Sequence, residues 1–414
     1  MNDSHRSDST SRLGINRRRL LQSAVATIIS APALSLRGTA NAGDEVLRIG
    51  WVRPTTGKLA SSFAPLYAGG DIALAEINAA GGILGRKLVI QEEDDEASPA
   101  KEPGVVKKLK DGGINILVGP TGSPQVLSSL AFTTPAKILQ CGVANGSDLG
   151  NAQKNPYHYM CVFTTEQEGT VAAKYMVRQL KLKKIGILHE STAFGEDAAK
   201  ASRQTMKDLA GLEPVSVQSY QMGATDLSVY IKNLQAAGCE GIIAWMASNV
   251  HIAMAFNTMA QLKWFPQVIG HVNLFNDTLF DLVPPETLKN VYGVYYRGWT
   301  YTDGEPVSDR HVALAKRFQE IPAAKGIEAY IAGCPQYDFL YLLKAVVEQE
   351  KSLDSDALKR ALDNVRGFKG LLGSLSFSPT NHAGVSLDDI TLASVASGRN
   401  LKSFSALRER APGA

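Results

Sequence analysis

The stretch ALAEINAAGGILGRKLVIQEEDDEASPAK, Ala73 to Lys101, decides the fold class. Its first part completes a helical pattern, LYAGGDIALAEINAA (Leu66 to Ala80), in which the spacing of Ile72, Ala75 and Glu76 leaves one apolar face. Gly81-Gly82 then stops that helix, as glycine does where the chain must leave helical geometry. KLVIQEE (Lys87 to Glu93) follows as a strand and ends in the paired acids Asp94-Asp95. Helix, glycine stop and strand in such close succession form the building block of a parallel sheet.

Outward from this unit the pattern repeats. Short apolar runs alternate with amphipathic stretches of about 12 to 18 residues, the signature of βαβ units. The first series of strands reads VLRIGWV (Val46 to Val52), KLVIQEE, INILVG (Ile114 to Gly119), KILQCGV (Lys137 to Val143) and HYMCVF (His158 to Phe163). The second reads KIGILHE (Lys184 to Glu190), VSVQSY (Val215 to Tyr220), GIIAWM (Gly241 to Met246), QVIGH (Gln267 to His271) and VYGVYY (Val291 to Tyr296). Two sheets of about five strands fit this better than one very large sheet. The expected fold class is therefore α/β, with two doubly wound lobes meeting near the turn-rich Thr164-Thr165. Two late helices, Ala332 to Glu350 and Ser355 to Val365, must pack back onto one lobe.

The 414 residues are 44% hydrophobic and 20% charged, ordinary globular material. The formal charge of +3 is concentrated at the start, where six arginines and two acids precede Ala42 and leave the remainder close to neutral. That balance argues against a nucleic-acid or membrane-surface protein. Residues 1–42 read as an export signal: basic Arg17-Arg18-Arg19, an apolar run to Leu36, and the small triplet Ala40-Asn41-Ala42 with cleavage expected after Ala42. The basic part resembles the twin-arginine pattern. An exported chain tolerates disulfides, and Cys141 with Cys161, on consecutive strands, form one candidate pair; four buried thiols, with Cys239 and Cys334, are the other reading.

Ligands of open parallel sheets bind at the carboxyl ends of the strands. The third strand runs into GPTGSPQ (Gly119 to Gln125), where Gly122 and Ser123 open a helix whose free N–H groups attract an anion. A purely structural N-cap is the competing reading of Ser123. The fourth strand runs into Ala144, Asn145 and Gly146, again rich in backbone donors. In the second series, HESTAFGED (His189 to Asp197) puts Phe194 just before a helix, as a ligand wall or a hydrophobic staple, and MASNV puts Ser248 and Asn249 at a strand end.

From LRIGWVRPTTGKLAS (Leu47 to Ser61), the Ala73 to Lys101 block, LVGPTGS (Leu117 to Ser123), HESTAFGED and QYDFLYLL (Gln336 to Leu343), the whole exported part resembles the type I periplasmic solute-binding proteins of the leucine/isoleucine/valine-binding class. The resemblance implies two lobes joined by a three-crossing hinge: 43–164 with about 299–373, and 165–298 with about 374–414. It implies that Ser123 takes a ligand carboxylate, that Ala144 and Gly146 offer backbone contacts, that Phe194 covers the ligand, and that Ser248 or Asn249, and Ser62 or Phe63, lie at further contacts. Members that bind α-amino acids place an acid after the strand matching QVIGH; here His271, Val272 and Asn273 stand instead, with Asp277 beyond. An ammonium in a dry cleft without a carboxylate is costly, so the departure favours an aromatic or aliphatic acid, or an amide. Ser98 and Gly122 also stand near where some members carry a disulfide.

No Walker loop, G-x-S-x-G elbow, H-E-x-x-H or G-x-G-x-x-G occurs, and His189-Glu190 is half a zinc-protease pattern that reads better as a loop pair. The expectation is a monomeric, periplasmic, non-enzymatic binding component of an ABC importer, with a small-molecule ligand and an inner-membrane permease as partners and with no cofactor, metal or nucleic acid. A sensory ligand-binding module signalling to a membrane receptor is the alternative.

Overall fold

Five strands form the first sheet: β1 (Val46–Val52), β2 (Lys87–Glu93), β3 (Ile116–Thr121), β4 (Leu139–Val143) and β5 (His158–Tyr159), in the order β2-β1-β3-β4-β5, all parallel. The second holds β6 (Ile185–Glu190), β7 (Ser216–Tyr220), β8 (Gly241–Trp245), β9 (Gln267–Gly270) and β10 (Val291–Tyr296) in the order β7-β6-β8-β9-β10, again parallel. Counted from its own first strand, the second sheet repeats the order of the first. Both are doubly wound, with a point between β1 and β3, and between β6 and β8, where the winding reverses. This computed structural model describes residues 46–57, 60–275, 278–320, 333–397 and 407–414; the expected export signal, residues 1–42, lies outside the described residues.

The helices follow the strands. They are α1 (Ala60–Phe63), α2 (Ala68–Ala79), α3 (Glu102–Asp111), α4 (Ser123–Thr133), α5 (Thr165–Lys174), α6 (Ala193–Ala210), α7 (Ser228–Ala236), α8 (Asn249–Gln261) and α9 (Thr278–Leu282), then α10 (Asp309–Glu320), α11 (Cys334–Glu350) and α12 (Ser355–Asp363). Strands covered on both faces must be apolar throughout, and every residue of β3, β6 and β8 is buried. At the end of α2, Gly81 and Gly82 sit at φ 98° and 80°, and a Cβ on Gly82 would stand 1.9 Å from the Arg86 carbonyl oxygen. The turn therefore demands glycine.

Three details differ from the sequence reading. β3 starts and ends two residues late, because the chain continues in the sheet through Thr121, where β4 pairs with it. The strand expected over His158 to Phe163 stops at Tyr159, since Met160 turns to bridge Ala383. Five short strands follow the second series: β11 (Thr300–Tyr301), β12 (Phe368–Lys369), β13 (Ser374–Leu375), β14 (Ile390–Ser394) and β15 (Arg408–Glu409). Of these, β14 joins β10 antiparallel and gives the second sheet a sixth strand. Of the two readings of the cysteines, the structure has the four buried thiols; the Cys141 and Cys161 sulfurs lie 4.0 Å apart, and the hydrogen bond to Cys141, reinforced by burial, pushes the Cys161 thiol well up.

The late helices return to the first sheet. Tyr337 and Tyr341 of α11 donate their hydroxyls to Glu76 of α2 at 2.7 and 2.6 Å, and Asp363 of α12 accepts from Tyr159 at 2.7 Å. After β13 the chain stays with the first sheet, as Met160 N donates to His382 O and Gly384 N to Met160 O; it reaches the second sheet only at β14. The connecting segments are tied together. Phe163 stacks on Tyr296 with ring centroids 4.6 Å apart, and Gln167 donates to the Val385 carbonyl at 2.9 Å. Thr164 and Gln167 form a reciprocal capping box that starts α5 at the expected Thr164-Thr165 turn. No helix among the described residues is long and apolar enough to cross a membrane.

Candidate functional site

The strand order places the loops after β1, β3 and β4 at one end of the first sheet and those after β6, β8 and β9 at the corresponding end of the second. All twelve residues named from the sequence fall in these six loops or the helix turns they open.

In the first lobe the loop after β1 is held by Asp94, which accepts from Thr55 N at 3.0 Å and the Thr56 hydroxyl at 2.6 Å. Partial burial opposes its ionisation, but donors from Thr56, Glu96 and Thr55 hold the carboxyl down to about 2. Ser62 and Phe63 lie in α1 beyond this loop; Phe63 packs against the core, and the Ser62 side chain lies outside the described residues. Asp277 likewise lies outside them.

After β3, Gly122 rather than Ser123 occupies the N-cap, at φ 99° and ψ 139°, a conformation glycine reaches without strain. Ser123 is the first helical residue and no side chain caps this end of α4. The structural N-cap reading of Ser123 is thereby overturned, and the N-terminus keeps unpaired N–H groups. The loop after β4 lies against it: a Cβ built on Gly146 would approach the Ser123 hydroxyl to 3.3 Å. Ala144 is buried, Asn145 O accepts from Thr165 N at 2.8 Å, and Asn145 Nδ2 donates to Glu168 at 3.0 Å.

The second lobe treats its helix N-termini differently. Glu190, buried at the end of β6, accepts from Ala247 N at 2.8 Å and from the Thr192 hydroxyl at 2.7 Å, while Thr192 caps α6 through Gly195 N. Its carboxylate thus lies beside the start of α6 and against Ala247, one residue ahead of the α8 N-cap Ser248, where helix dipoles favour an anion. Asn273 donates to Ala247 O at 2.9 Å and pins the same loop. Ser248 and Asn249 open α8, and the Ser248 side chain caps nothing. Phe194, in the first turn of α6, meets the His271 ring edge to face at 4.8 Å. His271 in turn holds Glu168 through Nδ1, and Glu168, in the first turn of α5, is fully buried.

The structure therefore brings Ser123 and Gly146 together, and links Asn145, Glu168, His271 and Phe194 in an unbroken series of contacts. It gives Asn273 an internal hydrogen bond instead of a free amide. The sequence reading does not reach Glu168, and it treats Glu190, an acid closing an apolar strand, as one half of a loop pair with His189. A cavity of about 560 Å³ lies elsewhere, beside α7 and α8, lined by residues such as Asp226, Lys232, Met254 and Leu282. No cluster of potential metal ligands occurs among the described residues.

The comparisons with known proteins agree with this architecture. Leu/Ile/Val-binding protein homolog 1 of Brucella abortus (strain 2308) is 26% identical over 330 residues, covering 78% of this chain and 84% of its own. The branched-chain amino acid transporter substrate-binding protein LivJ of Streptococcus pneumoniae, solved with isoleucine, superposes with a TM-score of 0.70 at 21% identity, covering 84% of this chain and 95% of that one. An ABC transporter solute-binding protein of Rhodopseudomonas palustris BisB5, solved with 3,4-dihydroxybenzoic acid, gives 0.68 at 18% identity, covering 85% and 93%. The profile of the family described as periplasmic binding protein matches residues 46–399. Members of that family are extracytoplasmic solute-binding proteins, and with this match over most of its length the chain belongs to the periplasmic binding protein family, in the type I, leucine/isoleucine/valine-binding class.

Proposed function

We propose that the chain is the periplasmic solute-binding component of an ABC importer, exported by its N-terminal signal, cleaved after Ala42 and acting as a monomer without catalysis. It takes the carboxylate of a small ligand at the N-terminus of α4 and closes the second lobe over the rest. Closure about the three connecting segments, which shifts the population toward a form that docks on the permease, follows from ligand contacts made by both lobes. The lobes are 46–164 with about 309–385, and 165–305 with 386–414, a division supported by the return of residues 376–384 to the first sheet.

The observation that carries this reading is the contrast between helix N-termini. The start of α6 is capped by Thr192, and the Glu190 carboxylate is bonded to the Thr192 hydroxyl and to Ala247 N just ahead of the uncapped α8, whereas α4 begins uncapped with the Ser123 hydroxyl beside the Gly146 loop. An incoming anion meets repulsion at the first and unpaired donors at the second. A thermal-shift screen of the protein lacking residues 1–42 against amino acids, aromatic and aliphatic acids, amides and sugars tests it. A ligand at 100 times its Kd stabilises by about 2.7 kcal/mol, so at least one carboxylate is expected to raise Tm by several degrees. Stabilisation by neutral sugars or amines alone, with every acid inert, would overturn the proposal.

A further inference from the structure

Glu168 is a fully buried carboxylate with no lysine or arginine bonded to it among the described residues; its two oxygens are held by Asn145 Nδ2, from the first lobe, and His271 Nδ1, from the second. An ionised carboxylate accepts and does not donate, so the His271 nitrogen facing it must carry a proton. That choice fixes the imidazole orientation and leaves Nε2 as its second hydrogen-bonding atom. Nε2 has no protein partner among the described residues, yet it is not sealed from solvent, and the ring rests against Phe194, which the proposed site places over the ligand.

We propose that Glu168 and His271 form a specificity-setting pair, in which the buried carboxylate positions His271 so that Nε2 engages a hydroxyl of the ligand and disfavours an ammonium at that place. The inference rests on the reading of this cleft as an acid-binding site. A hydroxyl satisfies Nε2 in either of its protonation states, donating to the neutral ring or accepting from the charged one. An ammonium brings three donors and a full charge; Nε2 is a single site, and both Glu168 oxygens already have partners in Asn145 and His271. An unpaired ammonium there loses more on desolvation than one hydrogen bond returns. Glu168 does not touch the ligand in this arrangement and acts as a positioning residue, while His271 does touch it.

The test uses leucine, 2-hydroxy-4-methylpentanoate and 4-methylpentanoate, three acids that differ only in carrying an ammonium, a hydroxyl or hydrogen beside the carboxylate, together with 3,4-dihydroxybenzoate and benzoate. Kd values are measured by calorimetry on the unaltered protein, on Glu168→Gln, on His271→Phe and on the double variant Glu168→Gln/His271→Phe, which removes the histidine without leaving a charged partner buried. Nitrogen-15 NMR of the ligand-free protein reads the tautomer directly and is expected to show a proton on Nδ1 of His271. In at least one series the hydroxylated acid is expected to bind tenfold or more tightly than its unsubstituted partner, with leucine weaker than the hydroxy acid. That preference should fall below threefold in the double variant while the unsubstituted acid keeps its affinity within threefold. An unchanged preference in the variants, tighter binding of leucine, or a His271 that carries no Nδ1 proton would overturn the role of this pair while leaving the acid site standing. Failure of every acid to bind the unaltered protein, with a neutral sugar binding in the wider screen, would instead overturn the acid site itself and this inference with it.

Discussion

The two lobes repeat one strand order but finish their ligand-facing ends in opposite ways. In the second, the Glu190 carboxylate gathers the Thr192 hydroxyl and Ala247 N, Thr192 caps α6, and Asn273 holds the loop that Glu190 also holds, while α8 starts without a side-chain cap. In the first, α4 begins at a glycine with no side-chain cap, and the serine beside it caps nothing. Identical topology therefore yields one end organised around a buried carboxylate and one whose helix α4 begins at an uncapped glycine. The first can receive charge, and the second can supply shape without offering a competing anion site. Such a division suits a protein that must bind on one lobe before closing the other.

The contrast breaks most visibly if Glu190 is removed. Glu190→Ala leaves Ala247 N and the Thr192 hydroxyl without their acceptor, and hydrogen bonds to a charged group contribute more than neutral ones. A loss of about 3 kcal/mol is expected, read as a lower midpoint in urea unfolding with an unchanged slope. Ligand affinity should also fall, because the loop bearing Ser248 loses its anchor. Stability equal to that of the unaltered protein would mean that the second wall is not organised by this carboxylate.

Ser123→Ala probes the other wall and should behave in the opposite manner. The hydroxyl has no internal role in the ligand-free protein, so stability should change by less than about 0.5 kcal/mol. Affinity for the carboxylate ligand found in the screen should drop by about 2 kcal/mol, roughly thirtyfold, if the hydroxyl serves a desolvated charge. A stability loss without an affinity loss would restore the structural role that the cap geometry argues against.

What the sequence could and could not reveal follows the range of the interactions. Fully apolar strands such as GIIAWM and glycine-stopped helices such as that before Gly81-Gly82 are local signals, and both sheets emerged from them. Gly122-Ser123-Pro124 was legible because a small polar residue and a proline at the end of an apolar strand mark a helix start whatever lies around it. The cap itself was misread by one residue, since only backbone angles separate Gly122 from Ser123. Glu168 was invisible because it looks like any acid in a first helical turn, and its partner His271 is 103 residues away. The same holds for residues 376–384, whose attachment to Met160 depends on a long-range return, and for β14, whose place in the second sheet depends on antiparallel pairing with the distant β10.

A last comparison separates two kinds of buried acid; its effect is near zero at pH 5 and grows with pH. Glu190 is buried with donors, whereas Glu102, also fully buried, lies beside Asp95 with neither of its oxygens receiving a bond from a donor group. Desolvation, reinforced by Asp95, pushes the Glu102 carboxyl up to about 9. The folded protein then holds a proton that the unfolded chain releases near 4.3, so folding is favoured by this group at low pH and its contribution is lost as pH rises from about 4.3 toward 9. Glu102→Gln removes that titration while keeping the shape of the protonated acid. Near pH 5 the variant should match the unaltered protein within about 1 kcal/mol, and its relative stability should grow steadily toward pH 8.5. Urea unfolding at four pH values between these limits measures the difference, in which titrations common to both proteins cancel. Parallel stability curves would show that Glu102 is ionised in the folded state, and that the first lobe, like the second, satisfies its buried carboxylates from within.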